Sequence, residues 1–218
     1  MTTTVNANLF RIVSAFISSE ETRYYLRGVF IHSHQTKGVY LVATDCHRLM
    51  VAHDETGSTD TKGVIVQLDK AALLACKPAK GDLGERLVRV SNDGRAEVLA
   101  PWGEEHKPVA MCHDSIVDGT FPDYARVAFP SVTDPSPATF NHRYVAEFGA
   151  AAASLTGNKN AGLRIIAAGE NPALVRFSGV EHAYGVIMPI RHSGSDTIPY
   201  FMTMPAADQP EETLIAAE

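Results

Sequence analysis

Arg23-Tyr-Tyr-Leu-Arg-Gly-Val-Phe-Ile31 and, across a polar gap, Val39-Tyr-Leu-Val-Ala-Thr-Asp-Cys-His-Arg-Leu-Met-Val-Ala52 read as two arms of a hairpin. The first arm is rich in aromatic and β-branched residues, and His34-Gln-Thr-Lys-Gly38 has the turn chemistry that folds the second arm back antiparallel. Thr44-Asp-Cys-His-Arg48 then interrupts an apolar strand. Polar groups there either bond to the backbone and shape it or face a partner, since each one buried without a hydrogen bond costs roughly 1–3 kcal/mol.

Outward from this hairpin, the chain repeats one order of elements. Thr2 to Ala7 reads as a short strand leading into a helix, with Leu9, Val13, Phe16 and Ile17 on one side and Arg11, Ser14 and Ser18 away from it. After a polar loop, Gly63 to Leu68 reads as a strand, Asp69 as a helix cap and Lys70 to Lys77 as a helix stopped by Pro78. Strands are expected at Arg86–Ser91, Arg95–Ala100 and His106–Cys112, the first two joined by an Asn92-Asp-Gly94 turn. A third passage has a strand at Ala138–Asn141, an Ala-rich helix over His142–Leu155, and strands at Gly162–Ala167, Ala173–Ser178 and Ala183–Met188. What repeats is the order of elements, strand, helix and three strands, without residue identity. Residues 193–218 show no period and read as an extension, at least partly disordered. The expected class is α+β, with antiparallel sheets outside and helices kept to one face.

Composition narrows the function classes. The 218 residues suffice for a sizeable core, and no apolar run approaches the roughly 20 residues that a membrane-spanning helix needs. The start, Met1-Thr-Thr-Thr-Val-Asn6, lacks the basic and apolar regions of a signal peptide, so a cytoplasmic location is expected. Cys46, Cys76 and Cys112 have no metal-ligand spacing and are expected as reduced thiols. A net charge of −6 argues against a wholly basic nucleic-acid binder but leaves room for a local basic face.

Four stretches carry a resemblance. Arg23-Tyr-Tyr-Leu-Arg-Gly28, Ala43-Thr-Asp-Cys-His-Arg-Leu49, Asp118-Gly-Thr-Phe-Pro-Asp-Tyr-Ala-Arg-Val127 and Val186-Ile-Met-Pro-Ile-Arg191 resemble, in this order, signatures of the bacterial DNA polymerase III beta subunit, the sliding clamp. The first three are similar to the clamp's middle domain and the fourth to its C-terminal strand. The resemblance implies two units over residues 1–126, a single unit over 127–192 resembling half of the last domain, and the extension 193–218. It implies a processivity factor without catalytic residues or cofactor, which encircles or rides duplex DNA and holds polymerase and clamp-loader peptides in a surface cleft.

Carried over position by position, the cleft would be walled by Leu26, Thr44, His47, Arg48, Leu49, Pro130, Val186, Met188, Pro189, Ile190 and Arg191. Arg48 and Arg191 would hold peptide carbonyls or an acidic flank. Cys46 stands where the family usually has glycine, and would be strained if that position needs a positive φ. Arg11, Lys77, Lys80 and Arg143, on or beside helices, are the candidates for phosphate contacts, and Tyr24 and Tyr25 match family residues near DNA. A family ring holds twelve units, so three per chain point to a homo-tetramer, otherwise to a dimer or an open arc. A regulatory protein that binds clamp-motif peptides without forming a ring is the alternative. An enzyme reading finds little support. The pairs Cys46-His47 and Cys112-His113 place neighbours on opposite faces of a strand, and no phosphate-binding Gly-rich loop is present.

Overall fold

The computed structural model of the chain describes residues 2–130 and 135–191. The expected extension 193–218 lies outside the described residues. The first unit comprises β1 (Thr2–Asn6), α1 (Ala7–Ser14), β2 (Val29–Ser33), β3 (Val39–Thr44) and β4 (Arg48–Asp54). A two-residue strand β5 (Ser58–Thr59) precedes the second unit: β6 (Val64–Val66), α2 (Lys70–Ala75), β7 (Leu87–Ser91), β8 (Ala96–Trp102) and β9 (Glu105–Cys112). A single turn, α3 (Ala125–Ala128), leads to the third unit, α4 (His142–Thr156), β10 (Leu163–Ala168), β11 (Asn171–Phe177) and β12 (Ala183–Ile187).

The same local chemistry starts each long helix. Asn6 Oδ1 accepts from Leu9 N, Asp69 Oδ1 from Ala72 N and Asn141 Oδ1 from Arg143 N, satisfying amides that a helix start otherwise leaves bare. Gly157, at φ +68°, closes α4 in the left-handed conformation.

The first two units exchange strands. β1 leaves its own unit and pairs with β7, from Thr2 opposite Ser91 to Asn6 opposite Leu87, while β6 crosses the other way onto β2. The result is a five-stranded antiparallel sheet, β5-β1-β7-β8-β9, and a seven-stranded one, β10-β11-β12-β4-β3-β2-β6. The longer sheet is continuous because β12 pairs with β4, from Ala183 opposite Ala52 to Ile187 opposite Arg48. Asp54, buried at the end of β4, ties the sheets together. Its Oδ2 accepts from Asn6 N at 2.6 Å, and its Oδ1 takes the amides of Thr56 and Gly57.

Alternation along the strands sorts the core onto two faces. Leu41, Ala43, Met50, Ala52, Ala173 and Val175 face the helices and pack with Phe10, Phe16 and Phe148. Val42, Leu49, Val51 and Val186 face the other way, where Leu26, Phe121 and Ala128 cover them. The Phe16 and Phe148 rings meet at 4.8 Å between centroids, joining α1 to α4. Phe148 lies so close to β12 that a Cβ on Gly185 would run into its ring.

Three expectations are corrected. Arg23–Leu26 begins no strand but lies in a 3-10 segment, Glu21–Leu26, because Leu26 is drawn into the core and Tyr25 packs beside Gly119. Ser18 is buried rather than turned away, since α1 stops at Ser14 and Ser18 N bonds back to Leu26 O. Ala138–Asn141 forms no strand. The stretch makes only an isolated bridge, Thr139 with Ile190, and Ser136 just before it another, with Ala168.

Gly185→Ala forces the Phe148 ring off the sheet, and overpacking of this kind costs about 1–3 kcal/mol. Urea unfolding checks it: a midpoint shifted down at unchanged slope is expected, and an unshifted midpoint would show that Phe148 is not held against β12.

Candidate functional site

The polar corner between β3 and β4 is built from its own side chains. Asp45 Oδ1 accepts from the amides of His47 and Arg48, and Thr44 Oγ1 accepts from Cys46 N while donating to Arg48 O. Thr44 and Asp45 therefore shape the backbone, and Cys46 and His47 are left exposed. Cys46 takes φ +73°, the left-handed conformation in which a side chain is strained.

Arg48 turns inward and is 7% exposed. Its Nε donates to Asp45 Oδ2 at 3.1 Å, its Nη2 to Ala15 O, and its Nη1 pairs with Glu147 of α4. The guanidinium also lies over the rings of Phe16 and Tyr144. This corrects the expectation that Arg48 holds peptide carbonyls: its guanidinium is buried and directed at Asp45, Ala15 and Glu147 inside the protein.

Beyond the corner, Met188 N donates to His47 O at 2.8 Å, so the chain leaving β12 runs directly beside the turn. Phe121 stacks on Phe30 at 4.8 Å, which brings Pro122–Val127 over the same face. Tyr124 is fixed by a 2.7 Å bond from its hydroxyl to His32 Nε2. Burial pushes the Tyr124 hydroxyl up to about 12, so it stays a neutral donor, and burial holds His32 below the ordinary imidazole range; with Nδ1 of the neutral ring facing Ser33 O at 3.1 Å, Nε2 is the acceptor.

Between these elements lies a hollow of about 310 Å³. Leu49, Val186, Met188, Val127, Pro122 and the Tyr124 ring give it an apolar lining, and Thr44, Cys46, Asp123, Arg126 and the Arg48 stem complete it. Leu49 and Val186 are directly opposite each other across the β4–β12 seam. Met188 is 37% and Val127 41% exposed, leaving apolar surface at the rim.

Of the eleven expected cleft residues, Thr44, Arg48, Leu49, Val186 and Met188 line this hollow. Leu26 is buried in the apolar cluster that also holds Leu49 and Val186. His47 stacks on Tyr144. Pro130 is not among the lining residues; Pro122, earlier in the same connection, takes that place. Pro189, Ile190 and Arg191 line a different hollow, with Pro137, Thr139 and Glu170, because the Ile190–Thr139 bridge carries the chain away from the corner. Of the lining residues missed, Pro122, Asp123, Tyr124, Arg126 and Val127 fall within the Asp118–Val127 signature, and Cys46 falls within the Ala43–Leu49 signature.

The basic candidates are spread over the helices. Arg11 donates to Asn8 Oδ1 along α1, Arg143 is exposed at the start of α4, and Lys77 and Lys80 are exposed beyond α2. Tyr24 is exposed and Tyr25 half-buried on the 3-10 segment. Cys76 and Cys112 are buried, and burial pushes the Cys76 thiol up to about 12 and raises that of Cys112. Among the described residues no group of three or more His, Cys, Asp or Glu could hold a metal, and no helix is long and apolar enough to cross a membrane.

The fold is that of the DNA sliding clamps. The DNA polymerase III subunit beta of Pseudomonas aeruginosa superposes with a TM-score of 0.62 at 19% identity, over 88% of this chain and 66% of the other. The Bartonella birtlesii sliding clamp, in a structure bound to griselimycin, gives 0.59 at 21% identity over the same shares. In sequence, the beta sliding clamp of Caulobacter vibrioides (strain NA1000 / CB15N) is 34% identical over 117 residues, 51% of this chain and 29% of the relative. That of Rickettsia bellii (strain RML369-C) is 25% identical over 191 residues, 83% of this chain and 45% of the relative. No family model matches the chain. By sequence and fold together the chain is similar to the bacterial beta sliding clamps, and it spans less than half the length of the curated relatives it matches.

Cys46→Gly removes a side chain from a left-handed position and is expected to raise stability by about 1 kcal/mol. Denaturant midpoints of the two proteins measure it; a lower midpoint would show that the Cys46 side chain supports the corner.

Proposed function

We propose that the chain is a clamp-like processivity factor that holds partner peptides in the hollow at the β4–β12 seam while encircling or riding duplex DNA. One observation carries this reading. Strands far apart in the sequence meet so that Leu49 and Val186 form the floor of an apolar hollow edged by Met188, Val127 and Arg126. Such a site suits the Leu, Phe or Met anchors of a short peptide, with the nearby Arg126 and Asp123 giving it polar edges. In this reading the chemistry would come from the partners, a DNA polymerase and a clamp loader. DNA contact would be non-specific, through Arg11, Lys77, Lys80 and Arg143, with Tyr24 and Tyr25 nearby. Residues 1–126 would correspond to a two-unit clamp domain and 127–192 to half of another, so that four chains complete a ring of twelve units.

A second reading, a regulatory protein that occupies clamp-binding peptides without a ring on DNA, is favoured by the −6 net charge and the thin scatter of cations on the helices. The two readings differ in one outcome. A ring stays on nicked circular DNA and slides off once the circle is linearised, and this retention weakens as salt rises. A peptide-binding regulator is retained on neither form.

Met188→Ala combined with Val127→Ala strips the rim of the hollow without touching the buried floor. Affinity for a fluorescent peptide carrying leucine and phenylalanine anchors, read by anisotropy, is expected to fall about tenfold or more. Unchanged affinity with an intact fold would remove the hollow as the binding site.

A further inference from the structure

In the first pair of units, each gives its opening strand to the other. β6, which leads through Asp69 into α2, lies on the outer edge of β2, and β1, which leads through Asn6 into α1, lies on the outer edge of β7. β10 holds the corresponding place in the third unit, as the first strand after its helix. It ends the seven-stranded sheet, with no strand on its outer edge among the described residues.

The backbone groups on that edge can be named. Gly162 O accepts from Ser178 N toward the β11 side. The alternation of an antiparallel ladder therefore turns the N–H and C=O of Leu163 and Ile165 outward. Ala167 fits the same alternation, its carbonyl accepting from Ser136 N on the outer side. The stretch that would serve as the third unit's opening strand, Ser136–Phe140, leads through Asn141 into α4 and meets its own sheet only at the two isolated bridges.

The two sheet ends differ in how they meet solvent. β9, at the edge of the five-stranded sheet, carries Glu105, His106, Lys107 and Pro108 in succession, residues that discourage strand addition. β10 carries a single charge, Arg164, among half-buried Leu163, Ile165 and Ile166. Its edge is not defended against a further strand.

We propose that the outer edge of β10 is the docking site for a second copy of this chain. The two third units face each other across a two-fold axis, and each lays Pro137–Phe140 along β10 of the other, repeating the exchange already made by β1 and β6. Pro137, at the start of this strand, is at a position where the missing amide is tolerated. The inference deepens the self-association in the proposed function and rests on it, but it is independent of the peptide hollow.

Ile165→Pro tests it, because the substitution deletes the outward amide and leaves the bonds to β11, and Ile165→Ala, which trims the core-packed side chain but keeps the amide, is the control expected to retain the native mass. Light scattering over a dilution series is expected to give the native protein a mass of at least two chains and the variant half the native mass, with unchanged circular dichroism and unchanged peptide affinity. In the native protein, exchange of the Leu163 and Ile165 amides is expected to slow as concentration rises, a reading that needs no variant. A native mass of one chain, equal masses for native and variant, or exchange independent of concentration would overturn the proposal. So would a chain ending at Arg191 that associates when the full chain does not, since residues 192–218 would then cover the edge.

Discussion

Pairing of β4 with β12 is the constraint on which the rest of the structure depends. It joins residues more than a hundred positions apart, makes one seven-stranded sheet from two sets of three strands and β6, and sets Leu49 against Val186. A slip of β12 by one residue against β4 would turn Val186 to the helix face and put Gly185 or Ile187 under the hollow. Gly185 makes such a slip costly. It is the position where β12 leaves room for Phe148, and Phe148 in turn meets Phe16, just after α1.

Arg48 locks the same seam from the helix side. A buried guanidinium needs partners to offset its desolvation, and here one side chain reaches Asp45 in the corner, Ala15 after α1 and Glu147 on α4. The aromatic faces of Phe16 and Tyr144 complete its surroundings. Arginine at this position thus holds the two helices and the turn in one arrangement. The hollow on the opposite face inherits its shape from that arrangement, and the Arg48 stem forms part of its wall.

Much of this was legible in the residues. The helix cap at Asp69, the hairpin turn before Val39 and the alternation of Leu87–Ser91 mark their elements locally, because the chemistry involved spans only a few residues. The exchange of β1 and β6 left no such mark, since pairing partners across a sheet are chosen by global packing. Arg23–Leu26 shows a local preference losing to a tertiary one: its aromatic composition favours a strand, but burial of Leu26 and the close approach of Gly119 to Tyr25 impose a 3-10 turn. In the site, the polar corner and Val186–Met188 were found through the resemblance. The exchange of Pro130 for Pro122, and the departure of Pro189–Arg191 toward Glu170, depend on where connections run and were not legible.

The likeness to sliding clamps rests on a shared architecture, in a chain that spans only part of the relatives it matches, and that architecture itself assembles the hollow at the β4–β12 seam. A crystal structure of the protein with a short leucine- and phenylalanine-containing peptide tests that account most directly. The account predicts peptide side chains over Leu49 and Val186, between Met188 and Val127. A peptide seated instead in the hollow of Thr139, Glu170 and Ile190, with the seam left bare, would contradict it.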